Sequence, residues 1–156
     1  MPQGTPIIRA ALEHDVPQLL QLMRGLAGFE GYLSRFAVTE QDLLERGFSR
    51  NSPPQFHAFV ADVEGALQGY ALVYLIPFTF DLRPTLVLKE FFVSNNVRGG
   101  GIGRALFNAV IVFGRQQGVR LLRWQVLPAN EGAQRFYRTF GGSIDAEWDN
   151  WVLELE

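Results

Sequence analysis

Six consecutive residues, Arg98-Gly99-Gly100-Gly101-Ile102-Gly103, have the composition of an anion cradle. Glycine tolerates positive φ and lets the backbone come close to a ligand. The stretch runs into Ile102, Ala105, Leu106, Ala109, Val110 and Phe113, whose spacing predicts an amphipathic helix. The first turn of a helix has unpaired N–H groups and the positive end of the dipole, so a phosphate or pyrophosphate suits it. Glycines alone are equally compatible with a flexible turn that binds nothing. A Walker loop requires Gly-Lys-Ser/Thr, whereas Gly103 is followed by Arg104-Ala105. A dinucleotide fingerprint fails as well. Arg104 stands where its third glycine belongs, and the stretch comes too late in the chain for a first βαβ unit.

Composition removes other chemistries. There is no cysteine, which excludes a thiol nucleophile, disulfides and thiolate metal sites. Two histidines, His14 and His57, argue against a histidine-rich metal site, so no metal is expected. Fourteen basic and 16 acidic residues give a net charge of −2, without the basic excess that a nucleic acid or an anionic membrane attracts. No apolar run approaches the roughly 20 residues of a membrane span. The first nine residues lack a signal-peptide pattern, and the expected location is the cytoplasm. The 156 residues, 47% of them apolar, suit one domain spanning 1–156.

The elements that must position the glycine turn can be read in order. Residues 7–9 predict a first strand. Asp15 is placed to cap a helix with Pro17 in its first turn and Val16, Leu19, Leu20 and Met23 on one face. Thr39 and Asp42 form a capping box for a second helix. Residues 56–63 and 66–76 read as a hairpin turning at Glu64-Gly65. Residues 85–93 predict a fourth strand and 121–126 a fifth. Asn130 is placed to cap a helix bearing Ala133, Phe136, Tyr137 and Phe140, and 151–155 alternate like a last strand. This order predicts an α/β fold, a mixed sheet with helices on both faces.

Arg98-x-x-Gly101-x-Gly103 resembles the Arg/Gln-x-x-Gly-x-Gly/Ala signature of GNAT acetyltransferases, and Glu90-Phe91-Phe92-Val93 is similar to their fourth strand. Asn130-Glu131-x-Ala133-x-x-Phe136-Tyr137-x-x-x-Gly141 resembles their second block. Leu26-Ala27-Gly28-Phe29-Glu30, the stretch from Thr39 to Phe48, and Trp151 are similar to the diamine (spermidine/spermine) acetyltransferase branch. The resemblance covers almost the whole chain.

It implies acetyl-CoA as co-substrate, bound where the fourth and fifth strands splay. Phe91, Phe92 and Val93 would pair with its pantetheine arm. Arg98, Gly99, Gly100, Gly101, Ile102, Gly103 and Arg104 would hold the pyrophosphate, with Asn130, Glu131, Gly132 and Ala133 as a second contact. Tyr137 would protonate the leaving thiolate, although its spacing alone makes it a core aromatic. Phe29, Glu30, Asp149 and Trp151 match positions near the acceptor amine. A homodimer is also implied.

The fourth strand departs from the branch pattern. Diamine enzymes have Glu-Asp before the two aromatics, and this chain has Lys89-Glu90. Lysine there repels a polycation and cannot act as a carboxylate base. Strand alternation puts Lys89 and Glu90 on opposite faces, so Glu90 takes over only if a bulge rotates the strand. Tyr32, Tyr74, Phe78, Phe80 and Trp151 are candidates to line an acceptor pocket. The expected activity is N-acetylation of a small amine, with a carboxylate-bearing amine suiting Lys89 better than a polyamine. A protein acceptor, a non-catalytic acetyl-CoA sensor and an unrelated nucleotide-binding protein are the alternatives.

Overall fold

The computed structural model describes residues 4–95 and 99–156. The chain resolves into two compact units, Met1–Trp124 and Gln125–Glu156.

The first unit contains a sheet of five strands: β1 (Ile7–Ala10), β2 (His57–Val63), β3 (Ala66–Ile76), β4 (Thr85–Val93) and β5 (Leu121–Trp124). They lie in sequence order. The first four are antiparallel, and β5 runs parallel to β4. The hairpin turn falls at Glu64-Gly65, where both residues have positive φ, 53° and 89°. That conformation matches the right-handed twist of the strands it joins.

Helices α1 (Val16–Glu30) and α2 (Glu40–Gly47) cover one face of the sheet. Val16, Leu19, Leu22, Met23 and Leu26 of α1 pack there against Val60, Tyr70 and Leu72. Helix α3 (Ile102–Gln116) covers the other face, where Ile102 and Leu106 meet Ala61 and Phe91. Each fully buried leucine of these layers contributes about 1.5–3 kcal/mol. Thr39 and Asp42 cap α2 reciprocally, at 3.1 and 2.9 Å, as their spacing predicts.

Asp15 stands at the N-cap of α1, but its side chain makes no capping hydrogen bond. Its buried carboxylate instead accepts from Arg9 Nη1 and Nη2, at 2.6 and 2.9 Å, and from the Leu12 N–H at 2.7 Å. Arg9 also donates to Asp62 at 3.1 Å. The cationic partner outcompetes the cap and ties β1, β2 and the start of α1 together.

The second unit holds α4 (Glu131–Arg138), which Asn130 caps by accepting the Ala133 N–H at 3.0 Å. Phe136 packs against Tyr137 and Phe140, with ring centroids 5.3 Å apart in each pair. The expected last strand is absent: residues 142–156 form neither helix nor strand. Residues 151–155 are mostly apolar, but a strand exists only through a partner's N–H and C=O groups. Trp151, Val152, Leu153 and Leu155 are more than four-fifths exposed.

Candidate active site

The β4 strand changes character halfway. Thr85, Leu86, Val87 and Leu88 are in register with Leu121, Leu122, Arg123 and Trp124 of β5, and there the pairing stops. Residues 89–93 continue with β3 on one side only. Beyond Leu88, alternate backbone N–H and C=O groups of β4 therefore face an edge that β5 does not cover.

The glycine turn follows this open edge. Gly99 and Gly101 take φ of 85° and 84°, and a side-chain carbon built on either meets nothing within 4 Å. Gly101 is the N-cap of α3. The Ala105 N–H returns to the Gly101 C=O at 3.1 Å, so the N–H groups of Ile102, Gly103 and Arg104 precede the first bond of the helix. In α2 and α4 the side chains of Thr39 and Asn130 cap the helix, and an acid stands in the first turn. In α3 the N-cap is Gly101, no side-chain cap hydrogen bond is made among the described residues, and the first turn has no acid. Its dipole is left for an external anion, which fits the diphosphate of a CoA-type ligand. Arg98 lies outside the described residues.

A bulge lies between these two features. Leu72 pairs with Glu90 and Val73 with Leu88, leaving Lys89 as the extra residue. Cross-strand partners share a face. Val87 opposite Tyr74, Glu90 opposite Leu72 and Phe92 opposite Tyr70 therefore look toward α1, while Leu88, Phe91 and Val93 look toward α3. In a regular strand Lys89 would point toward α1 and Glu90 toward α3. The bulge exposes Lys89 and gives Glu90 the place that alternation assigns to lysine.

Four titratable groups converge there. Glu30 ends α1, and Gly31, at φ 84°, stops the helix. Tyr32 follows, its N–H returning to the Ala27 C=O at 2.9 Å. Tyr70 is fully buried below them. Its hydroxyl lies under the influence of Glu90 without reaching the geometry of a full hydrogen bond. Burial pushes the Glu90 carboxyl above the usual glutamate range. The Glu30 charge adds to this, while Lys89 and the Tyr70 hydroxyl oppose it. Burial, with Glu90 and Glu30, also raises the Tyr32 phenol. Phe92 backs the cluster, its ring reaching within 3.0 Å of where a side chain on Gly25 would begin.

Other expected residues lie elsewhere. Phe78 and Phe80, 84% and 88% exposed, sit in the loop joining β3 to the start of β4. Five strand residues, about 17 Å, separate that end from Glu90, so neither lines this cluster. Tyr74 shares the face of Tyr70 but pairs with Val87. Phe29 is exposed on the last turn of α1. Asn130, Glu131, Gly132, Ala133 and the half-buried Tyr137 belong to the second unit, as do the exposed Asp149 and Trp151. Tyr70 was not a sequence candidate. Its only signal was a tyrosine hydroxyl in a mostly apolar strand that also carries Gln68 and Tyr74.

The acetyltransferase (GNAT) family pattern matches residues 19–141. Thialysine N-epsilon-acetyltransferase of Sus scrofa is 31% identical over 153 residues, covering 93% of this chain and 88% of that protein. Spermidine/spermine N(1)-acetyltransferase-like protein 1 of Homo sapiens is 28% identical over 94% of this chain, which spans 22% of that longer protein. A crystal structure of an aminoglycoside acetyltransferase from an uncultured soil metagenomic sample, in complex with sisomicin, superposes with a TM-score of 0.80. It is 20% identical, over 97% of both chains, and shows the fold alone.

Proposed function

We propose that this chain, which belongs to the GNAT acetyltransferase family and is an acetyl-CoA-dependent N-acetyltransferase, acts on the primary amine of a small molecule. Its relatives match the diamine acetyltransferase branch. One observation carries the small-amine reading. The partly buried Glu90 and the exposed Glu30 form an acidic pair beside the second half of β4, where an ammonium group gains from both charges.

Acetyl-CoA supplies an activated acetyl thioester when bound. The first turn of α3, with Gly99, Gly100, Gly101, Ile102, Gly103 and Arg104, would hold its diphosphate, and Arg98 is proposed to join them. Phe91, Phe92 and Val93 would lie along the pantetheine arm, and a backbone N–H there would stabilise developing negative charge on a carbonyl oxygen. Asn130, Glu131, Gly132 and Ala133 form a second cofactor contact, and Tyr137 is the general acid. A tyrosine, ordinarily near pKa 10, is matched to a thiol near 8.5. Both compact units work as one domain over 1–156, and the family match runs through both.

Lys89 stands outside the acidic cluster as a local positive charge. It favours an acceptor with a carboxylate over a bare polyamine, as in the amino acid that the name of the porcine relative specifies. Phe29, Asp149 and Trp151 are the residues proposed to contact the acceptor. A homodimer working in the cytoplasm completes the reading. No helix among the described residues is long and apolar enough to cross a membrane.

The test is release of CoA thiol from acetyl-CoA against thialysine, lysine, spermidine and an aminoglycoside. The reading expects turnover with at least one small amine and a loss of about 100-fold in Tyr137→Phe. Tight acetyl-CoA binding with no turnover for any amine would favour a sensor or a protein acceptor.

A further inference from the structure

We propose that Lys89 is itself an acceptor: its Nζ takes the acetyl group from acetyl-CoA bound to the same chain, and the modified residue, now neutral, turns the acceptor preference toward polyamines. The inference rests on the acetyltransferase reading and adds to it a modification site and a means of regulation.

The sequence carries the first observation. Lys89 is the only lysine among the 156 residues, and every other basic side chain of the Lys/Arg type is an arginine. A guanidinium stays protonated and offers no lone pair to a thioester, whereas a lysine amine does once it has lost a proton. The chain therefore has one side-chain amine to acetylate.

The place of Lys89 in β4 is the second observation. The register break leaves it as the extra residue of the bulge, and it is the one exposed residue of the strand. Pairing with β5 ends at Leu88, the residue before it. Phe91, the nearest residue proposed to lie along the pantetheine arm, is two positions on, about 7 Å along a strand. A flexible four-carbon stem spans that distance. The extra residue of a bulge stands outside the ladder, so no cross-strand partner fixes where its side chain goes.

The third observation is electrostatic. Glu90 feels the Lys89 charge, which favours the carboxylate against burial and the charge of Glu30. Lys89 therefore stands close enough to the acidic pair to weigh on any cation bound there. Acetylation removes its charge. A polyamine then meets the two acids without a cation beside them, and a carboxylate-bearing acceptor loses a partner.

The step balances in atoms and electrons. The Lys89 ammonium gives one proton to solvent. The nitrogen lone pair forms the C–N bond, the C–S bond breaks, and the sulfur leaves with its electron pair. The nitrogen loses a second proton as the amide forms, and the thiolate takes up a proton. An ammonium and a thioester become an amide, a thiol and one released proton.

The test uses the whole protein and acetyl-CoA with no added amine. Intact-mass spectrometry should show the gain of a single acetyl group, and fragmentation should place it on Lys89. Labelling should run at least about tenfold faster than in the urea-unfolded chain, because the bound thioester is held near the amine. Its rate constant should not depend on protein concentration, and saturating thialysine should slow it. Lys89→Arg keeps the charge and should take no acetyl group at that position. After labelling, kcat/KM for spermidine relative to thialysine should rise by about twofold to fivefold in wild type and stay constant in Lys89→Arg treated in the same way.

The proposal is overturned if the acetyl group is found only on the α-amine, if folded and unfolded chains label alike, if the rate constant grows with protein concentration, or if the acetylated protein keeps its preference. If neither amine is turned over, the site and rate of labelling decide by themselves. Turnover of thialysine with Lys89 left unmodified would sink the inference and leave the acetyltransferase reading intact. Absence of acetyl-CoA binding by calorimetry would remove both.

Discussion

The two halves of β4 solve opposite problems. Thr85 to Leu88 is bounded by β3 and β5, keeps strict alternation and buries Leu86 and Leu88 at 0% and 4% exposure. Residues 89–93 give up one neighbour, absorb an extra residue and bring a carboxylate into a partly buried place. The first half contributes stability and the second half spends it. A regular strand could not seat Glu90 beside Tyr70 and Glu30. The buried Tyr70 hydroxyl, without a hydrogen-bond partner among the described residues, lies next to this irregular half and not the well-packed one.

Glu90→Gln, the change with the largest expected effect, should weaken binding of the amine while leaving the protein as stable or slightly more so, by up to about 1 kcal/mol at neutral pH. The sign follows from linkage. A carboxyl raised in the folded state favours folding when protonated and loses that contribution as pH rises through its folded value. The advantage of Glu90→Gln should therefore shrink on acidification. Chemical denaturation at several pH values checks this.

Leu86→Ala tests the other half. It should cost about 2–5 kcal/mol by leaving a cavity against α3 and Gly114, with the KM for the amine unmoved.

Asp15→Asn sharpens the contrast with a charge that does stabilise. The Arg9 guanidinium holds the Asp15 carboxyl below the usual range. Its contribution is full above the unfolded value and lost as pH falls through the folded one. The variant should lose about 3 kcal/mol at neutral pH, and the difference should close in acid, the opposite trend to a deficit that persists at low pH.

Gly101→Ala is the smallest change. A side chain there adopts φ of 84° at about 1–2 kcal/mol, without a steric clash. Acetyl-CoA binding by calorimetry should weaken several-fold.

Much of this was legible in the residues. The hairpin at Glu64-Gly65, the capping box of Thr39 and Asp42, and the Asn130 cap were each set by a local pattern, and each formed. The glycine turn and the helix after it were equally plain. Long-range competition was not. Asp15 looks like a cap until Arg9 is known to reach it from β1. The run 151–155 looks like a strand, and no sequence pattern reports that its ladder partner is missing. Most consequentially, alternation assigned Lys89 to the place that Glu90 occupies. A bulge is decided by how two strands settle on their neighbours, and no residue in 85–93 announces it. Tyr70 went unnoticed for the same reason, since its meaning depends on Glu90 being turned toward it.

The most direct test compares wild type and Glu90→Gln in CoA release from acetyl-CoA with thialysine, measured as kcat/KM. The account predicts turnover in wild type, and in the variant a loss of about 100-fold as the ammonium loses a partly buried partner. Variant values within about twofold of wild type would contradict it and return Glu90 to the role of a partly buried structural acid.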